Sequence, residues 1–440
     1  MPKPGSLAST EKLSFSTDRY KVGDYPGAKN LGLNIYLLFA ISWFLHLGTR
    51  LPFLGLIRFD LFLVCLLVYL AVSSKRDIGI SGSKTGKLLM TLIVYSVLTI
   101  PFVEWPGSVI RTGIPNLIKG IVFFYFSIAF IRTEKDLKKF VFVFVSCQLC
   151  RVFEPLYLNI TEGYWGSVAS MANWEYMYRL SGAPSDVVNP NGLAFIICTV
   201  LPFLYLMAGL SWKGYVAAIL LAPACIYALL LTGSRSGILG LAIIAVGILL
   251  KSKRRITWVL LCVLLVVVSF PLLSPDMQDR YWSIIGGGEK NAGTATGRIT
   301  GLTDNIVVAL RRPFFGYGLG TSREANANFG SNDQPAHNLY AEVAQELGFV
   351  GLAIFILLLK SIYSGFAECK RAYNQQGVSV FLRRTVDSMQ VLMLMNILFS
   401  FASYGLSSYE WYFLGGFSIV MQRLAVETLP ETSASQGATQ

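Results

Sequence analysis

The sequence predicts an all-α integral membrane protein, with about twelve transmembrane helices and one long polar loop carrying short helices. Three observations predict it. Apolar residues make up 54% of the 440-residue chain and charged residues only 14%, against about 25% charged in a soluble domain. Mean hydropathy is +0.55. Apolar runs recur along most of the chain, and only residues 274–346 form a long polar interval.

The expected spans, each near the ~20 residues a bilayer needs, are 31–49, 53–73, 88–104, 114–131, 137–158, 192–210, 214–232, 236–250, 256–273, 340–360, 386–403 and 409–425. The first 30 residues are polar and hold no apolar core, which predicts a cytoplasmic segment and an uncleaved first span. With that start, the basic sets Lys75/Arg76/Lys84/Lys87, Arg132/Lys135/Lys138/Lys139, Lys213, Lys251/Lys253/Arg254/Arg255 and Lys370/Arg371/Arg383/Arg384 all fall on the cytoplasmic side. That is the distribution the positive-inside rule requires. Nine spans precede the long loop, so it lies outside, as do the 159–191 loop and the Thr232–Gly237 turn. The chain reads as one polytopic domain over 1–440, with a long loop at 274–339 and a disordered cytoplasmic tail at 426–440. The formal charge of +12 suits anionic lipid surfaces; no nucleic-acid-binding signature opposes that. No internal repeat stands out.

Within the long loop, apolar residues at 299, 302, 306, 309 and 310 have helical spacing. They predict an amphipathic helix over Arg298–Leu310 on the membrane surface. Arg311-Arg312-Pro313 ends it, and FFGYGLG reads as a flexible turn.

Few residues suit chemistry. His337, in PAHNLY, stands at an outside water–membrane boundary, where imidazole can exchange a proton near neutral pH; capping a helix is the competing role. The other histidine, His46, falls inside the first span and reads as structural. Arg235, in TGSRSG, sits at a tight turn between spans. Flanking glycines let a ligand approach, and a guanidinium fork matches phosphate oxygens; snorkelling to headgroups is the alternative. In the 159–191 loop, Asn189 and Asn191 suit either sugar contacts or an ordinary turn and helix start, with Arg179 as a further phosphate contact. Arg151 and Glu154, spaced i, i+3, are expected to pair on one helix face.

Other patterns exclude chemistry. Six of the seven cysteines fall in apolar stretches, and Cys369 falls in a basic loop. No disulfide framework is implied, and Cys147-x-x-Cys150 reads as helix packing. Gly82–Lys87 is one residue short of a phosphate-binding loop, and the 316–320 glycines follow no βαβ unit. The outside loops lack HExxH, paired Cys/His ligands and Asp-x-Asp, so no metal site and no cofactor are expected.

The order of these motifs resembles the O-antigen ligase and polymerase superfamily of multispan bacterial membrane glycosyltransferases. It comprises RLSG…NPN, a span-linking SR turn, a GR opening a long outside loop, PFFGYGLG, and HN-x-Tyr before QELGFVGL, covering residues 179–355. The resemblance implies a metal-independent, inverting enzyme of the bacterial inner membrane with a periplasmic active site and cytoplasmic termini. It would take a glycan from undecaprenyl diphosphate and place it on a sugar hydroxyl of lipid A–core, as an O-antigen ligase in lipopolysaccharide biosynthesis. His337 resembles the family's long-loop histidine, and Arg298 and Arg235 its two functional arginines. Arg179, Asn189, Asn191 and Asn338 are then expected to add contacts to diphosphate or glycan. The alternatives are an O-antigen polymerase, a protein O-oligosaccharyltransferase or, from a different class, a lipid-linked glycan transporter.

Overall fold

The computed structural model describes residues 29–73, 82–172, 175–251, 255–283, 292–331, 333–374, 378–403 and 405–428. The expectations for segment 1–28 and for the tail beyond 428 lie outside the described residues. Each of the twelve apolar runs holds a helix, and among the described residues five helices are long and apolar enough to cross a membrane. The chain is therefore a multi-pass membrane protein.

Helix α1 (Lys29–Leu45) stops at His46, whose left-handed backbone (φ 51, ψ 49) breaks the helical path. Two short helical turns follow, Leu47–Arg50 and Pro52–Leu56, and then α2 (Phe59–Ser73). The short turns fold back at a glycine contact: a β-carbon on Gly55 would stand 2.5 Å from the Gly48 carbonyl oxygen. His46 therefore lies just past the end of α1, and the first two apolar helices are shorter than the sequence suggests. Ser83 caps α3 (Lys84–Leu98) by accepting the Gly86 N–H. Helix α4 (Pro106–Phe130) contains a wide turn at Val109–Gly113. Thr133 and Asp136 form a capping box at the start of α5 (Glu134–Glu162).

The 159–191 loop contains regular structure that its sequence did not announce. It folds an antiparallel hairpin, β1 (Gly166–Ala172) with β2 (Glu175–Leu180), in the register Gly166↔Leu180 and Val168↔Tyr178. The period-2 alternation turns Met177 and Arg179 inward and Tyr176 and Tyr178 outward. Then come α6 (Pro190–Ala208), α7 (Trp212–Leu231), α8 (Arg235–Lys251) and α9 (Arg255–Ser269). The long loop carries α10 (Pro275–Trp282), α11 (Ala292–Arg311) and α12 (Ser322–Phe329). The last three are α13 (Leu339–Tyr373), α14 (Val380–Phe399) and α15 (Tyr409–Thr428). Cys369 is buried within α13 rather than in a loop.

Helices in lipid gain little from apolar burial, so close packing decides their association. Here α1, α4, α5 and α15 meet through aromatic rings: Tyr36–Phe140 and Phe144–Phe413 centroids are each 4.9 Å apart. Such pairs contribute about 0.5–1.5 kcal/mol each. The buried Tyr36–Ser127 hydrogen bond, 2.9 Å long, contributes about 0.6 kcal/mol if typical of interhelical bonds in membranes. The rings, being many, dominate. Outward residues such as Leu260, Leu264 and Val268 on α9 stay exposed, as lipid-facing residues do.

The two ends of the bundle differ. At one, Asp387 of α14 receives both Lys251 of α8 (3.4 Å) and Lys370 of α13, and Arg423 donates to the Ile128 and Ile131 carbonyls. The opposite end gathers His46, Arg151, Asp186, Arg179, Arg235 and the start of α13. Arg151 and Glu154 do not pair there. Arg151 grips Asp186 (2.6 Å), and Glu154 takes Arg50. Both partners come from other elements and are better placed than the i, i+3 neighbour.

Candidate active site

The TGSRSG turn joins α7 to α8. Gly233 has φ 59, and Ser234 accepts the Gly237 N–H to start the new helix (3.2 Å). Three side chains from elsewhere hold its carbonyls. Arg179 Nε donates to Thr232 O (2.8 Å), Arg280 Nε to Gly233 O (2.7 Å) and Tyr281 Oη to Leu230 O (2.8 Å). Arg235, the first residue of α8, donates from Nη1 to Ser283 Oγ (3.1 Å). A β-carbon on Gly233 would lie 3.3 Å from Arg179 Nε and 3.5 Å from Arg280 Cδ, so two guanidinium-bearing chains press on one glycine. Burial pushes the Tyr281 hydroxyl well above its usual range, and the charges of Arg179 and Arg280 pull the other way. Three arginines concentrated at one turn form a site able to hold polyanionic oxygen.

Arg280 was missed in the sequence. Its signal was a lone cation in DMQDRYW, three residues after a buried Met277 and beside a buried Tyr281. The expected Arg179 and Asn191 do meet Arg235's turn: Arg179 Nη2 donates to Asn191 Oδ1 (2.9 Å). Asn191 thus orients an arginine, and Asn189 caps α6 by accepting the Gly192 N–H (2.8 Å). The oxygen atoms of both amides belong to the fold.

The glycine run is a fixed strap rather than the flexible turn the sequence suggested. Gly348 (φ 68, ψ −179) breaks α13, which frees the carbonyls of Gln345 and Glu346. Tyr317 N donates to Gln345 O (2.8 Å) and Gly318 N to Glu346 O (2.9 Å), while Phe349 N donates to Pro313 O (2.7 Å). Gly316, Gly318 and Gly320 all have positive φ. At Gly316 a β-carbon would lie 2.5 Å from the Glu346 carbonyl, so the approach itself requires glycine.

That strap carries the chain to His337. Gln345 Nε2 donates to Asn326 Oδ1 (2.7 Å), and Asn326 Nδ2 to Gln334 O (2.7 Å). His337 is exposed between buried Ala336 and Asn338, with Nε2 3.4 Å from Gln334 Oε1. Asn338 caps α13 by accepting the Tyr340 and Ala341 N–H groups (3.0 and 3.1 Å) and donates to Phe401 O (3.1 Å). The imidazole is thus presented to solvent by a rigid cap, a good arrangement for proton transfer.

His337 and Arg235 stand on elements that share a neighbour. The residues after α14 hold Asn338, and Phe399 at the end of α14 lies against Gly240 of α8, beside Cys198. Arg298 falls within α11, which starts at Ala292, so it does not open the helix as expected. It lies seven residues before Asn305, about 10.5 Å along the axis. Asn305 meets Gln345 of α13 (3.3 Å). The Arg298 side chain lies outside the described residues. Among the described residues no group of three or more His, Cys, Asp or Glu side chains converges as metal ligands would.

No curated protein matches the chain. A family model described as O-antigen ligase matches residues 216–356, from α7 through the first half of α13. The match contains Arg235, Arg298 and His337 and begins after Arg179, Asn189 and Asn191. Through these residues, which carry the arginine turn, the glycine strap and the presented histidine, about a third of this membrane protein is similar to the O-antigen ligase family.

Proposed function

We propose that the protein is an O-antigen ligase, moving a glycan from undecaprenyl diphosphate to a sugar hydroxyl of lipid A–core. The observation that carries this reading is that the family match spans Arg235, Arg298 and His337 together. In the reaction, His337 accepts the proton of the acceptor hydroxyl as its oxygen bonds to the anomeric carbon. The bond from that carbon to the diphosphate oxygen breaks, with inversion. Arg235 and Arg298, supported by Arg179 and Arg280, stabilise the departing diphosphate. A diphosphate is already a good leaving group, so charge stabilisation is what the protein must supply. The arginine concentration at Thr232–Arg235 supports that assignment.

The site faces the periplasm and both termini face the cytoplasm, with twelve spans in the inner membrane. The lysines gathered at the Asp387 end support this orientation. Purified protein should be given undecaprenyl diphosphate glycan with lipid A–core, a second lipid-linked glycan or a protein acceptor in parallel. Transfer to lipid A–core is expected; transfer only to the second glycan or to protein would overturn the ligase assignment.

A further inference from the structure

The chain's other histidine forms a second polar centre, outside the matched residues. Asp186, 1% exposed, receives Arg151 through Nε (2.6 Å) and Nη2 (3.1 Å), and His46 Nε2 lies 3.1 Å from its Oδ1. Arg151 Nη1 also donates to Gln148 Oε1 (3.2 Å), and Gln148 Nε2 to Tyr409 Oη (3.0 Å). Burial raises the Asp186 carboxyl, but hydrogen bonds from His46 and Arg151 outweigh it and hold the group below its ordinary range. The carboxylate is charged, so His46 Nε2 is the donating nitrogen. In the tautomer with the hydrogen on Nε2, Nδ1 is the acceptor. That side chain is 40% exposed, and among the described residues Nδ1 has no partner.

Two further observations bear on what it binds. The His46 backbone is left-handed, a conformation a β-carbon disfavours and one kept where surrounding structure or function demands it. Nearby cations are already engaged: Arg151 with Asp186, and Arg50 with Glu154 (2.8 Å) and the Leu45 carbonyl. The open atom is thus the imidazole Nδ1, and no unengaged arginine stands beside it to receive an anion. It also borders the first site. Asp186 and Asn189 are three residues apart, so their Cα atoms are within about 11 Å. Asn191 in turn holds Arg179 against the Arg235 turn.

We propose that His46, oriented by Asp186, binds a hydroxyl of the glycan substrate, Nδ1 accepting that hydroxyl's hydrogen. The ligand is a neutral, hydroxyl-rich sugar ring. The assignment rests on the glycan-transfer reading above.

Two variants test it. His46→Gly removes the ring and suits the left-handed backbone. His46→Asn keeps an acceptor near the Nδ1 position and also tolerates that backbone. In the full-length protein, His46→Gly should raise KM for donor or acceptor about tenfold, the worth of one hydrogen bond to a neutral group, with kcat within about twofold. His46→Asn should restore most of that loss. Binding of lipid-free core oligosaccharide and lipid-free O-antigen oligosaccharide, measured by calorimetry, should show the same order for one of them. Unchanged KM and binding in His46→Gly, or equal losses in both variants, would overturn the proposal. Wild-type protein that transfers to no acceptor would instead overturn the transfer reading, and the calorimetric comparison would still decide on His46.

Discussion

Alanine at Gly348 should disable the enzyme without touching any group proposed to meet substrate. Gly348 has φ 68 and ψ −179, a region open almost only to glycine and costing about 1–3 kcal/mol for other residues. The added β-carbon would sit 2.2 Å from the Phe314 carbonyl oxygen and 2.7 Å from that of Pro313, inside the 3.0 Å that β-carbons respect. Both contacts are backbone, so the strap itself must move. Moving it loses bonds from Tyr317, Gly318 and Phe349 to the opposing carbonyls, each contributing about 1 kcal/mol. The total is about 4–6 kcal/mol, a large share of the ~5–15 kcal/mol that stabilises a typical protein. Thermal unfolding of the purified protein in detergent should show a clear fall in Tm, and transfer should drop at least about tenfold as the loop to His337 shifts. Gly301→Ala is the control: nothing lies within 4 Å of its β-carbon, and alanine favours the helix by about 1 kcal/mol. If Gly348→Ala keeps wild-type Tm and transfer, the strap does not position the histidine.

His337→Ala should abolish transfer while leaving Tm unchanged, because the side chain is exposed; retained activity would remove the proposed base. Arg235→Lys should lower transfer about tenfold or more despite the conserved charge, since the fork is lost, and equal rates would make it a headgroup anchor. Asp186 is held below its ordinary carboxyl value by His46 and Arg151 against the effect of burial. A depressed folded-state value stabilises above the unfolded one, near 3.9, and is lost as pH falls through the folded value. Tm should therefore drop below about pH 4, and Asp186→Asn should flatten that slope; an unchanged slope would refute the link. Transfer should persist in EDTA, and a reproducible divalent requirement would count against arginine-only stabilisation.

The apolar runs were readable because lipid-facing and packed surfaces alike exclude charge, so hydropathy alone indicated a helical membrane protein. Their ends were less readable. His46 breaks α1 through a backbone angle that no composition reveals. The pairing of Arg151 illustrates the same limit: i, i+3 spacing favoured Glu154, yet Asp186, 35 residues away, receives it. Asp186 and His46 are 140 residues apart, and only the folded chain brings them together. Within the candidate site, glycine and turn context singled out Arg235 and His337. Arg280 was not, because its target is a backbone carbonyl that carries no side-chain signature. The glycines at 316–320 marked a turn correctly, but rigidity came from carbonyls released by the helix break at Gly348, whose left-handed φ the sequence does not display.

The shared carboxylate of Asp387 has a mechanical consequence. It fastens α8 and α13 to α14 at one end, while Arg235 and the His337 cap stand at the other ends of those same two helices. The arrangement is that of shears riveted at the handle. Helix α8 is about 25 Å long, so a tilt of roughly 10° about the rivet separates the blades by about 4 Å. A separation of that size at the arginine turn would need almost no movement at the lysines, but it would have to part Phe399 of α14 from Gly240 of α8.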